Sequence, residues 1–150
     1  MVKRWQRLRE FAPALVVLPP GHLFADQERV SLGDLLGERL ILLPSTSLMR
    51  RWVDGKFAEI GRTPSVPIET TTMLSACRMV AAGIGITIAD AFTVRTLPPG
   101  SVTTRVLEPR LNVTFGFTFP GERTPSALVT RFTEVVTRTA TELLAGAGTA

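Results

Sequence analysis

The chain has 150 residues and a formal net charge of +4, from 17 lysines and arginines against 13 aspartates and glutamates. Most of this surplus lies in residues 1–10, which hold four basic side chains and one acidic one, whereas the other 140 residues hold 13 basic and 12 acidic groups. The length and the 45% hydrophobic content favour one domain, or two small lobes, with a real core, and they exclude a disordered polar chain.

The composition also excludes several functional classes. The longest largely apolar stretch, Met79 to Ala89, has 11 residues, fewer than the roughly 18 that a membrane span needs. No apolar signal-peptide segment precedes Glu10, so we expect a cytoplasmic protein that does not contact a membrane. A single cysteine, Cys77, and a single histidine, His22, cannot form a disulfide or a histidine-based zinc site. We therefore expect no metal and no cofactor.

Strand and helix patterns alternate along the chain. Short apolar runs bounded by proline and glycine predict strands at 14–18, 39–43, 66–70, 85–89, 102–107 and 112–119. Helical spacing predicts helices at 45–60, 72–82, 90–96 and from 124 onwards, with a capped turn at 31–36. This order indicates βαβ units, a parallel sheet and right-handed crossovers. The side chains predicted to face inward on the first two helices are Leu48, Trp52, Val53, Phe57, Ile60, Met73, Cys77, Val80 and Ala81.

The chain is expected to fall into three segments. Residues 1–13 form a basic leader, residues 14–119 form the α/β body, and residues 120–150 form a long helix with a tail that frays from Ala145. The leader's charges could contact nucleic acid, but a solvated helix end is the more common use of such a run. A helix-turn-helix needs about three consecutive helices, and no stretch before residue 45 supplies them.

A candidate binding rim follows from the topology. Ligands of open parallel sheets bind outside the carboxyl ends of the strands, which here are 43–47, 69–72 and 89–91. Two of these segments are hydroxyl clusters that open a helix, where unpaired N–H groups and the helix dipole favour an anion such as a carboxylate or phosphate. Serine and threonine at helix starts are also ordinary caps, each contributing about 1 kcal/mol. Capping and ligand binding therefore both remain open.

Signs of catalysis are weak. No Ser-His-Asp set can be drawn from a single histidine in a Pro-Gly turn, and Gly83-Ile84-Gly85 lies between a helix and a strand, the reverse of a dinucleotide loop. Cys77 falls on an apolar helix face, where a small buried residue is expected instead of a nucleophile. An enzyme would need an acid–base pair at the rim, for which the sequence offers Glu69 and Asp90. We expect a protein that is not an enzyme.

Several motifs, in order, resemble the effector-binding domain of LysR-type transcriptional regulators. The most specific are the PPGH turn before VSLGDL and the VAAGIGITI junction between helix and strand. The resemblance covers about residues 8–144, and the matching stretches are LVVLPPGHLFA (15–25), VSLGDLLGERLILLP (30–44), FAEIG (57–61), VPIETTTMLSACRMVAAGIGITIAD (66–90) and VLEP (106–109).

The resemblance implies a fold and a site. The fold is α/β and like a type 2 periplasmic binding protein, with a mostly parallel sheet: a second regulatory lobe plus a C-terminal helix, the first lobe being incomplete. In the family the effector lies between two lobes, and a small molecule with a carboxylate or another anionic group is expected here. The effector-binding residues implied by the resemblance are Pro44, Ser45, Thr46, Ser47, Met49, Thr70, Thr71, Thr72 and Met73. Residues 89–91 replace the family's more usual proline-containing turn.

The expected function is that of an effector-sensing part of a transcription regulator. In the family, DNA contact belongs to an N-terminal domain outside the resemblance, so no direct DNA contact by these 150 residues is expected. The apolar face of the last helix and the alternating face of 112–119 are expected to be exposed or covered by another chain, which predicts a homo-oligomer. Two alternatives stay open: a small-molecule lyase or dehydratase on the same fold, and an interaction protein that co-assembles with an intact regulator.

Overall fold

The computed structural model describes residues 3–120 and 124–145, with the backbone alone at 3–11, 120 and 145. Two short 3-10 turns lie at Leu23–Asp26 and Asp34–Gly37. The other elements are β1 (Lys3–Pro13), β2 (Leu15–Leu18), β3 (Arg29–Ser31), β4 (Ile41–Leu42), α1 (Leu48–Glu59), β5 (Ile68–Glu69), α2 (Met73–Ala81), β6 (Thr87–Ala89), α3 (Ala91–Arg95), β7 (Thr103–Glu108), β8 (Asn112–Pro120) and α4 (Ala127–Ala145). None of the helices in these two ranges is long and apolar enough to cross a membrane.

The chain forms two compact units. Residues 13–112 make one of them, and the other combines the described residues up to 12 with those from 113 onwards. These boundaries differ from those of the three predicted segments.

The larger unit is built on a mixed sheet. Its four-stranded part has the order β3-β7-β2-β6, β4 and β5 form a parallel pair, and a parallel bridge joins Leu40 to Ile86. Parallel pairing, expected for most of the sheet, holds for β3 with β7 and for β4 with β5, but β2 is antiparallel to both of its neighbours, with Leu15 opposite Ala89 and Val106. The expectation of parallel strands rests on connections that run through a helix. Because β2 precedes the first helix, that expectation does not apply to it, and its direction depends on pairing with strands distant in the sequence.

Helix α2 packs its apolar face on this sheet. The buried cluster consists of Val17, Ile41, Ala76, Cys77, Val80, Ala89 and Leu97. Cys77 and Val80 are inward as predicted, but Ala81 is exposed and Ala76 is buried in its place. In α1, Val53 and Phe57 are buried, whereas Leu48 and Ile60, at the two ends of the helix, are exposed.

The turn after Ser31 forms as its local sequence predicted. The turn at 34–37 has a reciprocal capping box, in which the Asp34 N–H donates to Ser31 Oγ (3.1 Å) and the Ser31 N–H donates to Asp34 Oδ2 (3.0 Å). Gly85 has a different requirement, because a side-chain Cβ there would overlap the Arg39 carbonyl oxygen. That carbonyl accepts from the Ile86 N–H (3.0 Å), so a glycine allows the two segments to approach closely.

Two expectations about the smaller unit are wrong. Residues 3–13, which belong to the basic leader, were expected to be the end of a helix but form an eleven-residue strand, β1, paired with β8. Because this pairing joins opposite ends of the sequence, the local charge pattern of residues 1–10 could not predict it. Helix α4 begins at Ala127 and is capped by Ser126, whose Oγ accepts from the Val129 N–H (3.3 Å), instead of starting at Pro125. The predicted frayed tail at 146–150 lies outside the described residues.

Candidate functional site

Two of the three predicted rim segments, those with the expected effector-binding residues at 44–49 and 70–73, lie side by side in the larger unit. β4 and β5 run parallel, with Ile41 opposite Ile68 and Leu42 opposite Glu69. The Thr70 N–H then donates to the Leu42 carbonyl (3.0 Å) at the carboxyl end of both strands. Segments 44–49 and 70–73 therefore leave the same edge of the sheet, where they start α1 and α2.

The hydroxyls next to these helices act as caps. Ser47 Oγ accepts from the Arg50 N–H (3.4 Å), and Thr72 Oγ1 accepts from the Ser75 N–H (3.1 Å). Asp90 does the same for α3, accepting from the Thr93 N–H (2.9 Å) and hydroxyl (2.7 Å). The capping interpretation holds for these three residues. The first N–H groups of an α-helix still lack an acceptor within the helix, so α1 and α2 present donors at the rim.

The remaining predicted residues differ in exposure. Ser45, Thr46 and Thr71 are exposed, whereas Pro44, Met49 and Thr70 are half-buried. Met73 is also half-buried and packs against the core cluster, so its side chain contributes to the attachment of α2. Hydroxyls accessible to a ligand thus come from Ser45 and Thr46 on one segment and Thr71 on the other.

Arg50 links the two segments and was missed in the sequence. Its Nη1 donates to the Leu43 carbonyl (2.9 Å) and to Glu69 Oε1 (2.8 Å), and its Nε donates to Asp54 Oδ1 (2.9 Å). Burial disfavours the charged guanidinium, but the hydrogen bonds and charges of Glu69 and Asp54 outweigh burial and raise the pKa of Arg50. The local signal available in the sequence was Asp54, an acid four residues after Arg50. No local pattern indicated the contact between Arg50 and Glu69 in β5.

The groups considered for catalysis have structural partners. Glu69 is bound to Arg50, and Asp90 caps α3. Burial, and after it the negative charge of Asp90, raise the pKa of the Cys77 thiol to about 11. His22 Nδ1 accepts from the Phe24 N–H (3.2 Å), and its Nε2 lies 3.5 Å from Glu38 Oε2. Among the side chains that the structure describes, at 12–119 and 124–144, no cluster of three or more histidines, cysteines, aspartates or glutamates could hold a metal ion.

A cavity of about 610 Å³ lies in the smaller unit. It is bordered by the end of β8 and by α4, and the predicted rim residues do not line it. Its lining residues are Phe119, Thr124, Pro125, Thr130, Thr133, Glu134, Thr137 and Arg138.

Solved structures identify the fold class. The effector-binding domain of QuiR in complex with shikimate superposes with a TM-score of 0.72 at 19% identity, covering 93% of this chain and 66% of that one. The BenM effector-binding domain with its effector benzoate gives a TM-score of 0.70 at 18% identity, covering 92% and 64%. The chain therefore has the α/β fold of effector-binding domains, which is like that of type 2 periplasmic binding proteins.

Sequence comparison identifies the family. The family model of the LysR substrate binding domain matches residues 6–141. The regulatory protein NocR of Agrobacterium tumefaciens (strain T37) is 34% identical over 119 residues, which are 79% of this chain and 40% of NocR. The chain thus spans less than half the length of this relative. It belongs to the LysR substrate-binding domain family, as the resemblance predicted.

Proposed function

We propose that the chain is an effector-sensing regulatory domain and that a small carboxylate-bearing molecule binds at the rim formed by segments 44–49 and 70–73. The observation that carries this proposal is the adjacency of the two segments at the carboxyl ends of β4 and β5, where α1 and α2 begin. Shikimate and benzoate, the ligands of QuiR and BenM, both carry a carboxylate. The same chemistry suits this rim.

The rim would hold an anion mainly by hydrogen bonds. The starts of α1 and α2 supply N–H donors and the positive ends of two helix dipoles. The exposed hydroxyls of Ser45, Thr46 and Thr71 add further donors. The nearby positive charge of Arg50 is more than offset by the two carboxylates of Glu69 and Asp54. We therefore expect weak binding, dominated by neutral donors.

A titration tests the site. Benzoate or shikimate added to isotope-labelled protein should shift the amide resonances of 44–49 and 70–73, whereas the neutral analogue benzamide should not. Thr71→Val, which deletes an exposed donor, should weaken binding at least about tenfold, because one hydrogen bond to a charged group contributes about 1.5–3 kcal/mol. Thr63→Val is the matched control, since Thr63 is also an exposed threonine and lies between α1 and β5. Shifts confined to the cavity lined by Phe119 and Arg138 would contradict the proposed site.

In a complete regulator, effector binding would act by favouring one conformation. A ligand shifts such an equilibrium by its difference in affinity for the two states. We propose that this shift changes how a tetramer presents its separate DNA-binding domains, in the cytoplasm, and that these 150 residues make no direct DNA contact. A catalytic role is not favoured, because Glu69 and Asp90, the acids available at the rim, are engaged by Arg50 and Thr93.

One observation favours a second candidate, an interaction protein that co-assembles with an intact regulator. Leu128 and Phe132 of α4 are 79% and 61% exposed, and large exposed apolar side chains on one helix face suit contact with another chain. Co-purification of the tagged chain with a full-length relative, lost in Phe132→Glu, would support this function. Failure to co-purify would leave the sensing domain as the proposal.

A further inference from the structure

Arg50 occupies an electrostatically unfavourable position in α1. It is the third residue of the helix, where the dipole is positive and a cation costs free energy, and the first turn contains no acidic residue. Asp54 lies four residues later, but an acid that follows its base is the less favourable order for such a pair. The stability of α1 therefore does not explain an arginine at this position.

The contacts of the guanidinium do explain it. One nitrogen, Nη1, donates both to the Leu43 carbonyl (2.9 Å) and to Glu69 Oε1 (2.8 Å), and so joins the segment after β4 to the end of β5. The Nε donates to both oxygens of Asp54 (2.9 and 3.1 Å), which fixes the plane of the group. The Arg50 side chain is only 13% exposed. A lysine has the charge but not this fork of donors.

This link lies where the sheet ends. β4 and β5 pair through only two residue pairs, and the bond from the Thr70 N–H to the Leu42 carbonyl is beyond the second of them. From Leu43 and Thr70 onwards, the two segments leave the ladder. Their spacing then depends on contacts outside the sheet, and Arg50 bonds to residues of both strand ends.

We infer that Arg50 is a positioning residue that sets the spacing of segments 44–49 and 70–73. Three of its five N–H donors, on Nε and Nη1, bond to Leu43, Glu69 and Asp54, and two carboxylates offset its charge, so we assign it the ordering of the rim and not direct binding of the effector. The consequence for effector binding rests on the proposed function. The consequence for the free protein does not.

Amide hydrogen exchange in the ligand-free protein tests the positioning role. In Arg50→Gln, the Thr70 amide should exchange about tenfold faster, because its bond to Leu42 adjoins the lost link. Lys56→Gln is the matched control: it removes another α1 cation, paired with Glu59 at 2.8 Å, and should leave Thr70 unchanged. Unaltered exchange at Thr70 in Arg50→Gln overturns the inference.

Arg50→Lys is the second variant and serves if the glutamine variant does not fold. It retains the charge beside Glu69 but cannot provide both sets of hydrogen bonds, so its Thr70 amide should exchange several-fold faster than that of wild type. Exchange equal to that of wild type would show that charge alone suffices, and the inference would be wrong.

Benzoate titration separates position from charge. Arg50→Gln should weaken benzoate binding about tenfold, a change of 1.4 kcal/mol. The double variant Arg50→Gln/Glu69→Gln removes both charges and should remain equally weak, because the link is still missing. Recovery of wild-type affinity in the double variant would mean that only the uncompensated Glu69 charge mattered, and would contradict the inference. If wild type itself does not bind benzoate, the proposed function loses its support, while the exchange experiment still decides the role of Arg50.

Discussion

Cys77 is fully buried in the cluster between α2 and the sheet, and burial, followed by the charge of Asp90, raises the pKa of its thiol to about 11. The ordinary value is 9.0. Below pH 9 the folded protein should therefore contain about a hundredfold less thiolate than the unfolded chain. We predict that a thiol reagent at pH 8 reacts at least this much more slowly with the folded protein than with protein in urea. Equal rates would contradict the burial of Cys77.

The same shift gives a pH dependence. The folded state disfavours the thiolate, so the stabilising contribution of a protonated Cys77 is fully present below pH 9 and is lost as the pH rises towards 11. Urea denaturation of wild type and Cys77→Ala should show the wild type losing stability faster over this range. Parallel curves for the two proteins would contradict the shift.

Gly85 is required because the segment before β4 approaches it closely. A Cβ at this position would overlap the Arg39 carbonyl, so Gly85→Ala should destabilise the protein by about 1–3 kcal/mol through overpacking. Gly55 is the matched control: it lies inside α1 with open space around the position, and Gly55→Ala should stabilise by about 0.5–1 kcal/mol. Urea denaturation of both variants measures the difference. Equal effects of the two changes would show that the close approach at Gly85 is relaxed in solution.

At the scale of elements, α4 has an apolar face that the described residues leave open. Leu128 and Phe132 are largely exposed, and Val129, Val135 and Leu143 are each more than a third exposed. Exposing large apolar side chains to water is unfavourable, and burying them against another chain removes this cost. The exposed face therefore favours association through α4. The homo-oligomer expected from the sequence thus remains a prediction, with a defined surface to test.

Light scattering at micromolar concentration should detect a dimer or larger species, and Phe132→Glu should shift it towards monomer. Thr130→Glu is the control, because Thr130 is also exposed but lies about 200° around the helix from Phe132. A wild type that is monomeric at these concentrations, or equal effects of both changes, would contradict association through α4.

For the whole molecule, the sequence predicted the order and type of most elements correctly. The helices starting at Leu48 and Met73 follow caps that were predicted from serine and threonine, and the capped turn after Ser31 is as predicted. These features depend on residues within about four positions of one another. The position of the rim segments could also be predicted, since a strand followed by a helix fixes which end of the sheet they leave.

The sequence by itself thus determined the local elements, the α/β class and, through its motifs, membership of the LysR substrate-binding domain family. Only the tertiary structure decided that β2 runs antiparallel, that β1 pairs with β8, and that Arg50 bonds to Glu69, 19 positions away. The physical reason is the same in each case: the direction of a strand or the partner of a side chain depends on residues distant in the chain. Local periodicity and capping contain no record of them.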